Sequence, residues 1–466
     1  MSRVIKYTSF GLGGLLLVLA LIFVVWARPL LSGVVGFGVK VVCNDLNISR
    51  LPREFVLNNI ASLLPFGRID INEDERTVAF YLMGAAIRQA SYEPGYGCRT
   101  QRSYDTLTLP VHVPTPSTSA IPLSDVSAQY PELNAMLSER FRLYGEGVGE
   151  DNPANHRAFI MLHRGKLVAE HYAAPYTATT KQHSMSMAKS INALLWSIAD
   201  EQGLASLDAP VYAPEWTGDD PRKAITNRDL LHMQSGLERG NYNYAFLTMT
   251  ATGNNAHFSA NRPQAHAPGT YYKYADADSN LSGRSLSVAL AKHGLSYQGF
   301  ASQALFAPIG ADSFELANDD YGYHFASSLT YATARDWARV GQLLLKRGQF
   351  NDKKIIPSYV FETIKTPLPS SSGRYKFGFW LNHGKANGRE EDEFPGLPSD
   401  TYSMTGLNGQ LLVVIPSLDI VVIHLGNGRG GNAGTGPAVD LIVDAVNMID
   451  QDAVVMPLSE HKSTPQ

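Results

Sequence analysis

Cysteine is scarce in this chain, with only Cys43 and Cys98 among 466 residues. Two cysteines cannot form a disulfide scaffold, and neither belongs to a Cys-x-x-Cys pair or a Cys/His cluster that would indicate a metal site. A single disulfide between them is expected if the chain is exported, and two separate buried thiols are the alternative if it is not. The sequence predicts no metal and no cofactor.

An excess of positive charge is also missing. The chain has 39 Lys and Arg against 43 Asp and Glu, a formal net charge of −4, and no basic stripe. This argues against nucleic acid as a main partner. A hydrophobic content of 44% and a charged content of 18% are typical of a globular protein with a large core and more than one domain. No Gly-x-Ser-x-Gly motif occurs, so an α/β-hydrolase fold has no support.

The first 29 residues differ from the rest of the chain. Residues 10–27 contain no charge over 18 positions, with Arg3 and Lys6 before them and Arg28 after them. This length reaches the lower limit for a membrane-spanning helix, and Val25-Trp26-Ala27 is a poor cleavage site. We expect an uncleaved signal anchor over residues 1–29, with a cleaved signal peptide as the alternative. The anchor would hold the chain at the bacterial inner membrane, with the remainder in the periplasm or outside the cell.

Composition divides the remainder into four parts. Residues 30–106 are a small region with both cysteines and a strand-like stretch from Thr77 to Met83. Residues 107–128, with proline, serine and threonine, are predicted to be an extended linker. Residues 129–456 are predicted to be the main domain, and the polar tail at 457–466 is predicted to be disordered.

The order of elements in the main domain indicates an α+β fold. Helical periodicity covers Tyr130 to Tyr144, and a hairpin signal at 163–166 joins strands at 157–162 and 167–172. Further predicted elements are a buried helix after Ser186, a capping box at 226–229, helices at 332–346 and 437–449, and strands at 410–415 and 420–425. The chain therefore leaves one sheet, builds a helical lobe and returns to the sheet.

Ser186 and Lys189 stand at the start of the predicted buried helix. Positions i and i+3 share one face of a helix, so the lysine amine can reach the serine hydroxyl. A serine becomes a useful nucleophile when a base takes its proton, and free N–H groups at a helix N-terminus can hold an oxyanion. The spacing alone is also explained by a capping serine followed by a solvated lysine.

Two later segments favour the catalytic interpretation. They are Tyr274-Ala275-Asp276 and Met404-Thr405-Gly406-Leu407-Asn408-Gly409-Gln410. Together with Ser186-x-x-Lys189 they resemble the serine β-lactamase and penicillin-binding-protein superfamily, which has Ser-x-x-Lys, then Tyr-x-Asn, then Lys-Thr-Gly. Gly406 to Gln410 and Phe377 to Trp380 resemble the branch with esterases and 6-aminohexanoate-dimer hydrolases.

The resemblance implies a β-lactamase/transpeptidase-like fold, an antiparallel sheet flanked by helices plus a helical lobe. It also implies a role for each matched residue. Ser186 is expected to be the nucleophile, Lys189 its partner and Tyr274 the residue that relays protons to the leaving group. The backbone N–H groups of Ser186 and Leu407 are expected to form the oxyanion hole. The residues expected to contact substrate are Asp276, Met404, Thr405, Gly406 and Asn408.

Two positions depart from the family pattern, because Asp276 replaces asparagine and Met404 replaces a cation. Methionine cannot hold a substrate carboxylate by charge-assisted hydrogen bonds, as a lysine would. We therefore expect a serine hydrolase for a small ester or amide, with an acyl-enzyme on Ser186. The alternatives are a β-lactamase or D-Ala-D-Ala carboxypeptidase, and a non-catalytic envelope binding module. The sequence does not indicate an oligomeric state.

Overall fold

The computed structural model describes residues 28–61, 67–82, 85–100, 115, 117, 119–144, 155–239, 253–384, 392–428 and 435–449. The predicted anchor at residues 10–27 and the predicted disordered tail lie outside these ranges. Within them, no helix combines the length and the apolar character needed to cross a bilayer.

The described ranges contain eleven α-helices, numbered here in chain order. They are α1 (Arg28–Asn47), α2 (Arg53–Ala61), α3 (Pro131–Tyr144), α4 (Met187–Glu201), α5 (Asn227–Leu231), α6 (Asn255–Ala260), α7 (Asp276–Ala291), α8 (Tyr297–Ala301), α9 (Ala334–Leu345), α10 (Ser358–Lys365) and α11 (Gly436–Ile449).

The strands in the same ranges belong to four sheets. They are β1 (Gly67–Asn72), β2 (Thr77–Leu82), β3 (Ala85–Glu93), β4 (Gly97–Arg99), β5 (Ser124–Asp125), β6 (His156–His163), β7 (Lys166–Tyr172), β8 (Gln182–His183), β9 (Glu315–Leu316), β10 (Thr330–Ala332), β11 (Gln349–Phe350), β12 (Lys353–Lys354), β13 (Tyr375–Lys376), β14 (Phe379–Leu381), β15 (Tyr402–Gly406), β16 (Gln410–Ile415) and β17 (Ile420–Gly426).

An eight-stranded sheet forms the centre of the main domain, in the order β13-β14-β15-β16-β17-β6-β7-β5. All neighbours are antiparallel except β5 and β7. Helices cover both faces, so alternate residues of β16 enter two different cores. Leu412 and Val414 pack in the cluster with α4 and α9, whereas Leu411 and Val413 pack in the cluster with α3 and α11. This explains why the strand is apolar at every position from Leu411 to Ile415.

Helix α4 is buried along nearly its whole length, from Met187 to Ala199. Its aliphatic residues and Trp196 belong to the central cluster between the sheet and the helical lobe. Each fully buried large apolar side chain contributes about 1.5–3 kcal/mol. The helix is therefore held firmly where its first turn carries Ser186 and Lys189.

The predicted elements of the main domain are confirmed with shifts of one or two residues. The hairpin at 163–166, the helices near 130, 186, 332 and 437, and the late strand pair are all present. Thr226 and Asp229 make both hydrogen bonds of the predicted capping box. The sheet begins earlier than expected, however, because β5 lies inside the segment predicted as a linker.

The described part of that linker lies against the main domain. Ile121 is buried, and its N–H donates to the carbonyl of Ile309 at 2.9 Å. Upstream, the Ser117 hydroxyl donates to the Ala307 carbonyl at 2.9 Å. These bonds give a side-chain hydroxyl and a backbone N–H of the segment partners on the main domain.

The small N-terminal region packs α1 and α2 against an antiparallel sheet of order β1-β2-β3-β4. The predicted disulfide between Cys43 and Cys98 is confirmed, and it ties α1 to β4 with Cα atoms 6.0 Å apart. A buried ion pair joins this region to the main domain, with Lys40 Nζ 2.6 Å from Asp320 Oδ1. The two regions are therefore joined by a buried polar contact.

Candidate active site

Ser186 stands at the N-terminus of α4, where the chain turns sharply from strand to helix. Met185, just before it, has a φ of +48°, a left-handed conformation that is uncommon for a residue with a side chain. Ser186 itself has helical φ and ψ, and its carbonyl accepts the N–H of Lys189 at 3.0 Å. The turn leaves Ser186 partly exposed while the next residues enter the core.

Lys189 is buried one turn after Ser186, with only 3% of the residue exposed. Its Nζ donates to Ser186 Oγ at 2.9 Å, to Asp276 Oδ1 at 2.6 Å and to the Ser327 carbonyl at 2.8 Å. A lysine ammonium has three N–H donors and no acceptor, so all three are used. The arrangement holds Lys189 in its charged form.

Asp276 is the first residue of α7, a position where the helix dipole stabilises a carboxylate. It is 6% exposed, and its Oδ2 has no hydrogen-bond partner in the described part of the chain. The expectation that Asp276 contacts substrate needs correction, because its carboxylate is directed at Lys189 inside the protein.

The two candidate proton carriers both have raised pKa values. Burial alone would lower the pKa of Lys189, but the Asp276 carboxylate and Tyr274 outweigh burial and raise it. Burial raises the pKa of the Tyr274 phenol, and the charge of Asp276 adds to this effect. The Lys189 ammonium and hydrogen bonding with Ser186 oppose it only in part. Near neutral pH the site therefore holds a lysine cation beside a protonated tyrosine.

Tyr274 lies in an aromatic wall that the sequence did not predict. Its ring centroid is 5.2 Å from that of Trp380 and 5.6 Å from that of Tyr375, and Lys189 Nζ is 4.9 Å away. The sequence indicates the segment 377–380 only through its resemblance to the hydrolase branch. Ser190 Oγ donates to the Gly378 carbonyl at 2.5 Å, which fixes this segment against α4.

Strand β15 passes directly beside the nucleophile. A Cβ placed on Gly406 would lie 2.4 Å from the Ser184 carbonyl oxygen and 2.9 Å from the Ser186 nitrogen. Only glycine permits this approach, which brings the end of β15 and Leu407 next to the N–H of Ser186. Leu407 follows the strand with its side chain 48% exposed.

Met404 is the clearest correction to the expected substrate contacts. It is 0% exposed and belongs to the central hydrophobic cluster, so it packs between the sheet and α4. The alternation of β15 turns Met404 toward the α4 side, where the core is closed. The side chain cannot contact a substrate in this structure.

Thr405 and Asn408 lie on the partly exposed part of the same segment. Thr405 Oγ1 is 2.7 Å from Ser403 Oγ, and Asn408 Nδ2 donates to Asn427 Oδ1 at 3.1 Å. Asn408 has a φ of +65° and so supports the tight turn after Leu407. Their contacts with substrate stay predictions.

Two buried histidines hold the turn after Leu407 through hydrogen bonds, and sequence reasoning missed them. His424 Nδ1 lies 2.6 Å from the Gly409 carbonyl oxygen, and His156 Nδ1 lies 2.7 Å from His424 Nε2. Burial lowers the pKa of His424 to about 4 and that of His156 to about 2. Both rings are neutral near pH 7. Neither residue had a motif around it, and only the pairing of β17 with β6 brings them together.

A family-model match to the sequence identifies the family of this chain. Residues 157–447 match the family model described as Beta-lactamase, which is more than half of the chain. The chain belongs to the beta-lactamase family. Within the described ranges of this family member, no group of three or more His, Cys, Asp or Glu residues could hold a metal ion.

Solved structures with the beta-lactamase fold resemble the chain over most of its length. A protein from Bacillus anthracis assigned as a 6-aminohexanoate-dimer hydrolase matches with a TM-score of 0.55 and 19% identity, covering 87% of this chain and 98% of that protein. A family VIII carboxylesterase matches with a TM-score of 0.50 and 15% identity, covering 70% and 98%. At these identities the likeness shows the fold.

A relative from Alkalihalophilus pseudofirmus, an uncharacterized protein, is 28% identical over 116 residues. The match covers 24% of this chain and spans about a third of that protein, 34% of its length. It adds a local sequence similarity and no activity.

Proposed function

We propose that this beta-lactamase family member is a serine hydrolase that cleaves a small ester or amide through an acyl-enzyme on Ser186. One observation carries the proposal: Lys189 Nζ lies 2.9 Å from Ser186 Oγ and 2.6 Å from Asp276 Oδ1 in a buried network. A surface lysine after a capping serine would have no reason to be buried with a carboxylate.

Tyr274 is the base in this proposal, and Lys189 is its electrostatic partner. Lys189 is held as an ammonium by Asp276, so it has no lone pair with which to accept a proton. The phenolate form of Tyr274, stabilised by that ammonium, takes the proton of Ser186. The role given to Lys189 therefore differs from that of a neutral amine base.

Acylation and deacylation then follow with atoms in balance. Ser186 Oγ attacks the carbonyl carbon, and the carbonyl electrons move to an oxygen held by the N–H groups of Ser186 and Leu407. The tetrahedral intermediate expels the alcohol or amine, which takes its proton from Tyr274. Water gives a proton to Tyr274 and attacks the acyl carbon, and the departing Ser186 recovers that proton.

The substrate class rests on two supports. Neighbours in fold are assigned as a 6-aminohexanoate-dimer hydrolase and a carboxylesterase, so linear amides and esters are the candidates. The half-buried Trp380 ring beside Tyr274 supports an apolar leaving group, because Tyr274 is the residue that protonates it.

Export is part of the same proposal. The disulfide between Cys43 and Cys98 supports folding in an oxidising compartment, because cytosolic thiols are kept reduced. The apolar stretch at residues 10–27 supports attachment to the bacterial inner membrane. We propose that the main domain acts on the periplasmic or outer side.

Turnover of a substrate panel tests this function. The purified chain is assayed with p-nitrophenyl esters of increasing acyl length, linear amides and a chromogenic β-lactam. We expect ester or linear amide hydrolysis that falls by about 1,000-fold or more in Ser186→Ala. Turnover of the β-lactam alone, or a residual rate in Ser186→Ala equal to wild type, would contradict it.

A further inference from the structure

A second cavity lies between the N-terminal helices and the main domain. Its volume is about 180 Å³, room for several water molecules. The described residues that line it do not include Ser186, Lys189 or Tyr274. It approaches the candidate active site at Met185 and Asn408, the sequence neighbours of Ser186 and Leu407.

One wall of this cavity carries polar atoms without partners. Gln182 is 3% exposed, and neither its Nε2 nor its Oε1 has a hydrogen-bond partner among the described residues. Tyr176 and Arg157 line the same cavity, and the Tyr176 hydroxyl and Arg157 Nε are also buried without a partner among the described residues. An unsatisfied buried polar group costs about 1–3 kcal/mol, so several around one cavity indicate an occupant.

Arg157 places a permanent positive charge at this cavity. The Arg157 guanidinium lies over the Tyr176 ring, 5.1 Å from its centroid, and no carboxylate of the described chain is within 4 Å of it. Asp45 lines the same cavity, but burial raises the pKa of its carboxyl to about 7 against the opposing effect of Arg157. Below pH 7 the Asp45 carboxyl is mostly protonated, so an anionic ligand is then the favoured partner of Arg157.

The wall that comes from the N-terminal region is mostly apolar. Phe37, Val41, Leu51 and Val56 line it, with Asp45 and Ser49 as its polar members. A free phosphate or a water cluster would leave this wall without a matching group. A ligand with an anionic head and a short hydrocarbon chain satisfies both walls.

We propose that this cavity binds a short-chain carboxylate as a second site, separate from the serine. The carboxylate accepts hydrogen bonds from Arg157, Tyr176 and Gln182 Nε2, and the hydrocarbon chain packs on Phe37 and Val41. A water molecule or a ligand hydroxyl donates to Gln182 Oε1. The site exists only when the N-terminal region is docked on the main domain.

Calorimetric titration of the full-length chain with hexanoate tests the site. We expect saturable binding of hexanoate and no binding of hexylammonium, which has the same chain and the opposite charge. Arg157→Met should weaken binding tenfold or more, and the matched variant Arg164→Met, at an exposed hairpin position, should leave it unchanged. Val41→Trp, which fills the apolar end, should abolish it with Arg157 intact.

A crystal structure with 6-bromohexanoate locates the ligand by the anomalous signal of bromine. Bromine between Val41 and Leu51 supports the proposal. Bromine only beside Ser186, water alone in the cavity, or equal hexanoate affinity in wild type and Arg157→Met would each overturn it. Because Ser186 is not involved, Ser186→Ala should bind hexanoate as wild type does, whatever its hydrolytic activity.

Discussion

Asp276 sets the charge balance of the site at the scale of single residues. Its carboxylate raises the pKa values of both Lys189 and Tyr274, and it occupies the position where the family pattern has asparagine. The wild-type rate should therefore rise with pH into the alkaline range, because the working form of Tyr274 is the phenolate.

Asp276→Asn tests this charge balance. Asparagine keeps an oxygen that accepts from Lys189, but it removes the negative charge that raises both pKa values. The alkaline rise in kcat/KM should begin at lower pH than in wild type, and a pH profile measured with one ester checks it. Asp208→Asn, at an exposed ion pair with Arg228, is the control and should leave the profile in place.

A pH profile of Asp276→Asn that stays fixed or moves to higher pH would contradict the role given to Asp276.

The sequence identified Asp276 as a departure from the family pattern, but it did not identify its partner. Only the packing of α7 against α4 places Asp276 Oδ1 within 2.6 Å of Lys189 Nζ.

Met404 is a second residue that the sequence marks as a departure from the family pattern without showing its contacts. The sequence shows that methionine, and not a cation, precedes Thr405 and Gly406. Its burial could not be read from the sequence, because it depends on which face of β15 meets the closed core.

At the scale of elements, the site depends on the close approach of β15 to the start of α4. Gly406→Ala introduces a methyl group 2.4 Å from the Ser184 carbonyl oxygen, so the strand and helix must separate. A shift of this size at the oxyanion hole should lower kcat/KM by about 100-fold. Gly436→Ala, where the added Cβ meets nothing within 4 Å, is the matched control.

Ester hydrolysis by the two purified variants checks this prediction, with thermal melting to confirm that both are folded. Wild-type kcat/KM in a folded Gly406→Ala protein would show that the two elements are not constrained as described.

Element boundaries themselves followed well from periodicity and capping, as with Thr226 and Asp229. The pairing of β17 with β6, which joins distant segments, did not.

At the scale of the whole molecule, the N-terminal region is bound to the main domain by a buried ion pair and stiffened by one disulfide. The cysteines are 55 residues apart. Closing a loop of this length removes unfolded-state entropy worth about 4 kcal/mol. Cys43→Ser combined with Cys98→Ser should lower the free energy of unfolding of this region by about that amount.

Urea denaturation followed by circular dichroism, with and without reductant, measures this effect. Reductant should destabilise wild type and leave the double variant unchanged. Equal stability of the oxidised wild type and the double variant would contradict the prediction. The disulfide could be anticipated from two cysteines and a predicted export segment, whereas the docking of Lys40 on Asp320 could not, because no local pattern encodes it.

The central claim is that Ser186 is an activated nucleophile, and covalent labelling tests it most directly. The intact mass of the purified chain is measured after treatment with a fluorophosphonate, for wild type and for Ser186→Ala. The account predicts one phosphonyl adduct on wild type, located on the peptide with Ser186, and none on the variant. Equal labelling of the two proteins, or no labelling of wild type, would contradict it.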